Sequence, residues 1–212
     1  MKNRIATMLA LQDAVNTQVH PQWRRQGNPW YRAIWVECAE LLDHYGWKWW
    51  KGQQPDLDQV RLELVDIWHF GLSTLLEREL AADDVAAEFA AALAAPVPRG
   101  DAEAFRGAVE RFAARTLVAQ DFDLPGFAVL MQVIELSFDE LYRHYVGKNV
   151  LNGFRQDHGY RDGSYRKNWH GREDNEWLVE LSAALDPESD SFAQDLYAAL
   201  RSRYVVAPAA GA

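Results

Sequence analysis

Two helical stripes that would otherwise be apolar each carry a pair of acids, and no other feature constrains the chain as much. Glu37 and Glu40 lie in E-C-A-E, and Glu63 and Asp66 in E-L-V-D. A spacing of i, i+3 puts both carboxylates of a pair on one helix face, about 60° apart. Trp30, Ala33, Ile34 and Leu41 share the first stripe, and Val60, Ile67 and Phe70 the second. Both pairs are therefore expected on core-facing stripes rather than on the solvated side. Four carboxylates converging between two helices repel one another. At ~5 Å and an effective dielectric of ~20, each pair costs about 3 kcal/mol. A cation is expected among them, and oxygen-only ligands favour Mg²⁺ or Mn²⁺. One such pair is common on a solvated face; two pairs on apolar stripes of neighbouring helices point to a metal site. A di-iron carboxylate bundle needs Glu-x-x-His motifs on two helices. Only Asp66-Ile67-Trp68-His69 approximates one, so that arrangement is disfavoured.

The rest of the chain also reads as helix, predicting an all-α bundle. Helices are expected over 4–18, 30–45, 57–80, 83–95, 101–117, 125–154, 173–185 and 192–203, with no strand pattern that persists. Turns are expected at Gln26–Pro29, Gly52–Pro55 and Pro96–Gly100, a glycine-punctuated loop at 159–171, and a loose tail in VVAPAAGA. At 212 residues the chain is expected to be one domain, 1–212, with an Ala-rich helical insertion at 81–124 that packs on or caps the core. The formal net charge of −9 argues against a general nucleic-acid or membrane-surface binder. The single cysteine, Cys38, cannot form an internal disulfide, which fits a reducing compartment. Neither a signal-peptide pattern nor an apolar run of about 18 residues is present, so a cytoplasmic location is expected.

Two further segments carry chemistry. In Trp47-Lys48-Trp49-Trp50-Lys51, aromatics suit stacking on a base and lysines suit phosphates, although tryptophan more often fills a core. Between Lys148 and Arg172 lie six of the 22 Lys and Arg residues against two acids, a positive patch in an acidic protein. Lys148, Asn152 and Arg155 follow i, i+4, i+7 on one helix face. Gly159 and Gly163 allow tight bends, and Tyr and Asn add neutral donors. This donor set suits a polyphosphate. Metal-binding acids with a phosphate-binding patch imply metal-assisted phosphoanhydride chemistry.

The stretches W-Y-R-A-I-W-V-E-C-A-E-L-L-D, W-K-W-W-K, E-L-V-D-I-W-H-F, K-N-V-L-N-G-F-R, G-Y-R-D-G-S-Y-R-K and E-D-N resemble the dimeric, all-helical dUTPases. These lie within the wider all-α nucleoside-triphosphate pyrophosphatases. The acid pairs point only to the superfamily; W-K-W-W-K and G-Y-R-D-G-S-Y point to the dUTPase branch. The resemblance covers roughly 4–80 and 125–180. It implies that Glu37, Glu40, Glu63 and Asp66 hold Mg²⁺, and that Glu40 orients or deprotonates the attacking water. Asp66 would also meet the sugar 3′-hydroxyl, with Phe70 against the deoxyribose. Lys148, Asn152, Arg155, Tyr160, Lys167 and Asn175 would hold phosphate oxygens. Gln12 and Asn16 would read the uracil edge, with Trp49 and His69 lining the base pocket. A homodimer is implied, because two subunits of that family share each active site.

The expected activity is Mg²⁺-dependent hydrolysis of dUTP to dUMP and pyrophosphate, limiting uracil incorporation into DNA. Neither stable nucleic-acid binding nor membrane binding is expected. The alternatives are a related pyrophosphatase acting on dCTP or a non-standard nucleotide, and a non-catalytic helical interaction protein that binds a metal for stability. An acidic DNA mimic is disfavoured, because its acids would not pair on apolar stripes.

Overall fold

Local stop and start signals set most element boundaries in the computed structural model, which describes residues 1–97, 102–186, 189 and 191–204. The helices are α1 (Lys2–Val19), α2 (Trp30–Tyr45), α3 (Leu57–Glu77), α4 (Ala82–Ala94), α5 (Ala102–Ala119), α6 (Leu124–Val133), α7 (Phe138–Asp157), α8 (Asp174–Ala183) and α9 (Phe192–Arg203). The fold is all-α, as expected. Asp56 caps α3 by accepting from the Gln59 amide at 3.2 Å, and Asp123 caps α6 through the Gly126 amide at 3.1 Å. Part of the expected turn at Pro96–Gly100, from 98 onward, and the tail 205–212 lie outside the described residues.

Several boundaries differ from expectation by up to three residues, and one expected helix is two. Helix α3 stops at Glu77 rather than at Leu80, with Glu79 at a φ of 54°. The long helix expected over 125–154 is two helices, α6 and α7, separated by a turn in which Glu135 takes a φ of 57°. The cause is a capping box in Ser137-Phe138-Asp139-Glu140. Ser137 Oγ accepts from the Glu140 amide at 3.2 Å, and Glu140 Oε2 accepts from the Ser137 amide at 2.8 Å. This starts a new helix at Phe138 and ends the apolar continuity that suggests a single one.

The chain divides into two compact units, residues 1–145 and 146–212, with the division inside α7. In the first unit α2 packs along α3 and also against α5, α1 lies against α3 and α4, and α6 against α4 and α5. Trp68 of α3 is wholly buried, stacked between Phe89 of α4 (5.1 Å) and Phe127 of α6 (5.2 Å). Phe105 and Phe112 of α5 are also buried, so segment 81–124 supplies large core side chains to this unit.

In the second unit Leu151, Phe154, Trp169, Trp177, Leu178, Leu196 and Leu200 form a separate core. It contains a short antiparallel hairpin, β1 (Asn168–Trp169) with β2 (Arg172–Glu173). Two residues per strand are too few for a periodic signal, which is why the sequence pattern shows none. Among the described residues, no helix is long and apolar enough to cross a membrane.

Gly71 is where the first core is tightest. A Cβ there would lie 2.7 Å from the Phe122 ring. Gly71→Ala is expected to destabilise the protein by about 1–3 kcal/mol despite its better helix propensity, because overpacking outweighs the propensity gain of about 1 kcal/mol. A urea midpoint equal to or above wild type would show that the ring yields freely.

Candidate active site

Helices α2 and α3 bring three of the four predicted acids together. One carboxylate oxygen from each of Glu37, Glu63 and Asp66 lies within 4.8 Å of the others. Glu63 is buried, and Glu37 and Asp66 are half-buried. Glu40 is exposed and outside this trio, which corrects the expectation that both members of the first pair face the core. The reason is angular. Taking Ile34, Cys38 and Leu41 as the buried centre of α2, Glu37 sits about 65° away from it and Glu40 about 125°. The trio is therefore at the border of the core, with Glu40 on the solvent side.

The electrostatics of the trio are those of crowded carboxylates. The Glu37 carboxyl is pushed from its ordinary value of 4.5 up to about 9, first by burial and then by the Asp66 charge. A side-chain hydrogen bond with Glu63 and the charges of Glu63 and Glu40 add to this. At neutral pH Glu37 thus keeps its proton and shares it with Glu63. His44, which is not among the predicted residues, puts Nε2 3.5 Å from Glu63 Oε1. It follows Glu37 by seven residues, so the helical period alone places it on that stripe. Cys38 beside the trio is buried, and burial followed by the Glu37 charge pushes its thiol up to about 12, leaving it unreactive.

Phe70, one turn beyond Asp66 on α3, stacks on Trp30 of α2 with ring centroids 6.3 Å apart. Trp23 meets Trp30 edge-on at 6.0 Å. The Trp30 indole N–H is buried and has no hydrogen-bond partner among the described residues.

Gln12 and Asn16 of α1 are both buried and join one polar network with α3 and α7. Gln12 Oε1 lies 2.8 Å from His69 Nδ1 and accepts from the Tyr145 hydroxyl at 3.1 Å. Its Nε2 donates to Asn16 Oδ1 at 3.0 Å and to Ser73 Oγ at 3.1 Å. Asn16 Nδ2 donates to Ser73 Oγ at 2.9 Å. Ser73 and Tyr145 are not among the predicted residues. Ser73 follows His69 by one turn on the same face, which is the signal the sequence holds for it.

Trp49 is not in this network. It is 89 % exposed, beside Trp50 at 5.3 Å. Together with Leu42, Asp43, Trp47, Arg106 and Glu110 it lines a cavity of about 650 Å³ whose lining includes none of Glu37, Glu40, Glu63 and Asp66.

In the second unit the predicted phosphate residues form their own cluster. Lys148 Nζ donates to Asn175 Oδ1 at 3.2 Å, and Arg155 Nη1 to Asn152 Oδ1 at 3.2 Å. The ring of exposed Tyr160 lies 6.0 Å from both the Arg155 guanidinium and Lys167 Nζ. Gly159 and Gly163, with φ of 90° and 79°, make the turns between them. Asp174, within the E-D-N stretch, is not among the predicted residues but anchors the cluster. It is 1 % exposed and accepts from Arg155 Nε at 2.8 Å, Arg155 Nη2 at 2.9 Å and the Tyr165 hydroxyl at 2.9 Å. Burial and the Asp174 charge raise the Tyr165 pKa, so it remains a phenol donor. Arg155 is thus a paired, buried cation rather than a solvated one, whereas Lys167 is exposed.

Residues 4–160, well over half the chain, match the family model described as dUTPase. None of the curated proteins compared with the chain matches it. The matched range takes in α1 with Gln12 and Asn16, the acids of α2 and α3, the segment 81–124 and all of α7. With an all-α fold, a three-carboxylate cluster between α2 and α3 and this match, the chain belongs to the all-α dUTPase family.

Proposed function

We propose that the protein hydrolyses dUTP to dUMP and pyrophosphate with a bound divalent cation, Mg²⁺ or in its place Mn²⁺. The observation that carries this is the convergence of Glu37, Glu63 and Asp66 in a chain of this family. The donor set fits such an ion: all ligands are oxygens, and a carboxyl that holds a proton to about pH 9 sits among like charges that a cation would relieve. When bound, the cation supplies charge neutralisation on the phosphates. Glu37, Glu63 and Asp66 would hold it, with Glu40 at its solvent side. Glu40 orients the attacking water and takes its proton as the water oxygen bonds to a phosphorus of the α–β bridge. The bond from that phosphorus to the bridging oxygen breaks, leaving dUMP and pyrophosphate. Asp66 meets the 3′-hydroxyl, and Phe70, held against Trp30, packs on the deoxyribose and disfavours a 2′-hydroxyl. Asn16 meets the uracil edge, with Gln12 and His69 in the same network. In the second unit Lys148, Asn152, Arg155, Tyr160, Lys167 and Asn175 hold phosphate oxygens. The working assembly is a homodimer, a reading supported by half-exposed Trp35 and Val36 on the outer face of α2.

The test is turnover of each dNTP and of UTP with Mg²⁺, and again with EDTA. The expected order of kcat/KM puts dUTP ahead of dCTP, dTTP and UTP, with no activity in EDTA and recovery with Mg²⁺ or Mn²⁺. Equal use of dCTP and dUTP would leave only a broader pyrophosphatase. A melting temperature raised by the metal with no turnover would favour the non-catalytic alternative.

The raised pKa of Glu37 has a consequence for stability. Between its unfolded value near 4.5 and about 9, the cation-free folded state binds a proton that the unfolded state has released. Stability therefore falls as pH rises through that window. Melting in EDTA should occur at lower temperature at pH 9 than at pH 6, Mg²⁺ should restore more at pH 9, and Glu37→Gln should flatten the difference. The same slope in Glu37→Gln would assign it to other groups.

A further inference from the structure

We infer that His44 gives this chain a second cation position with a nitrogen ligand, one that takes a first-row transition ion in preference to Mg²⁺. The inference rests on the reading of the acids as cation-binding, and adds to them a ligand of different chemistry. His44 lies on the acid stripe of α2. At 100° per residue it points about 20° from Glu37, seven positions back, and about 40° from Glu40, four positions back. The i, i+4 spacing of Glu40 and His44 is one at which two side chains of a helix can hold a single ion.

The partner on α3 is Glu63. His44 Nε2 lies 3.5 Å from Glu63 Oε1. That is long for an N–H···O hydrogen bond, whose length centres near 2.9–3.0 Å. It does match two ligands of one ion. Donors about 2.1–2.2 Å from a metal and about 90–110° apart lie roughly 3.0–3.6 Å from each other. The imidazole is not a fourth ligand of the ion expected among Glu37, Glu63 and Asp66. Among the described residues, those three form the compact group of ligand atoms without it. His44 therefore marks a separate position, towards Glu40, with Glu63 between the two. A carboxylate has two oxygens, so Glu63 can serve both ions. The His44 side chain is 38 % exposed and Glu40 is exposed, so this second position opens to solvent.

Donor chemistry then decides which ion each position takes. Mg²⁺ is a hard ion that binds oxygen and keeps much of its water, so an imidazole adds little to its affinity. First-row transition ions gain from a nitrogen ligand. The Glu37, Glu63 and Asp66 position offers oxygens alone, and the His44 position offers nitrogen as well. The two positions thus differ in kind, and a mixture of Mg²⁺ and a transition ion should sort between them.

The experiment uses Mn²⁺ alone, without nucleotide, on the full chain and on His44→Gln and His44→Ala. Pulsed EPR separates Mn²⁺ bound to an imidazole, which shows coupling to the ligating nitrogen, from Mn²⁺ held by oxygens, which does not. At two equivalents of Mn²⁺, wild type is expected to show the nitrogen coupling. Both variants should lose it while keeping an oxygen-held ion. Displacing the nitrogen-coupled Mn²⁺ should need at least tenfold more Mg²⁺ than displacing the other. A wild type without nitrogen coupling overturns the proposal, as does coupling that persists in both variants. Variants that lose both ions also overturn it, and leave His44 a residue that holds the acids in place. Equal displacement by Mg²⁺ overturns the selectivity. Nitrogen coupling in a protein that does not turn over dUTP would sink the dUTPase reading and keep this one. Turnover of dUTP without nitrogen coupling would do the reverse.

Discussion

Glu40→Gln is expected to lower kcat by roughly 10²–10⁴-fold, the range typical of a lost general base, while leaving the fold and cation binding in place. Glu40 is exposed and stands outside the three-carboxylate cluster, so the change removes a charge with almost no change in shape and opens no cavity. Glu37→Gln makes the contrast, because Glu37 lies within the cluster and shares a hydrogen bond with Glu63. That variant should lose cation affinity, with activity recovering at high Mg²⁺, whereas Glu40→Gln should stay inactive at any Mg²⁺ concentration. Measuring kcat against Mg²⁺ for both separates the two roles. A Glu40→Gln protein with wild-type kcat would remove that residue from the chemical step.

The second large effect is on stability. Arg155→Ala strips a bidentate partner from Asp174, a carboxylate that is 1 % exposed. Breaking a buried pair from one side costs about 3–5 kcal/mol, mostly because the remaining charge is stranded. The core around Leu178 and Leu196 should therefore loosen, read as faster amide hydrogen exchange in α8. Lys167→Ala should behave differently. Its ammonium is exposed, and its loss should weaken triphosphate binding by about 1.5–3 kcal/mol at unchanged stability. Activity lost in Arg155→Ala is thus not by itself evidence of phosphate contact; activity lost in Lys167→Ala is. If the two variants are equally stable, the Arg155–Asp174 pair does not support the second unit.

Much of this site is periodic and therefore legible in the order of residues alone. The i, i+3 acids mark a polar interruption of two apolar stripes, and the α1 pair Gln12 and Asn16, four apart, lies on one face as expected. The capping box at Ser137 and Glu140 is equally legible, although apolar continuity masks it. What is not legible depends on how far a stripe turns towards its neighbour. Glu40 and Glu37 share a face, yet one is solvent-exposed and the other is held against Glu63. Trp49 follows α2 closely in sequence, yet the cavity it lines includes none of the four acids.

By itself, then, the sequence determined the helices, the pairing of acids on α2 and α3, and the concentration of cations after Lys148. All of these depend on neighbours within two turns, whose geometry is set by the helical period. Only the tertiary structure decided which polar groups satisfy one another. Asn16 meets Ser73 across 57 residues of chain, and Arg155 is neutralised by Asp174 across 19. Those partnerships arise because a buried polar group without a partner is costly, and which partner is within reach is a property of packed elements rather than of spacing along one of them.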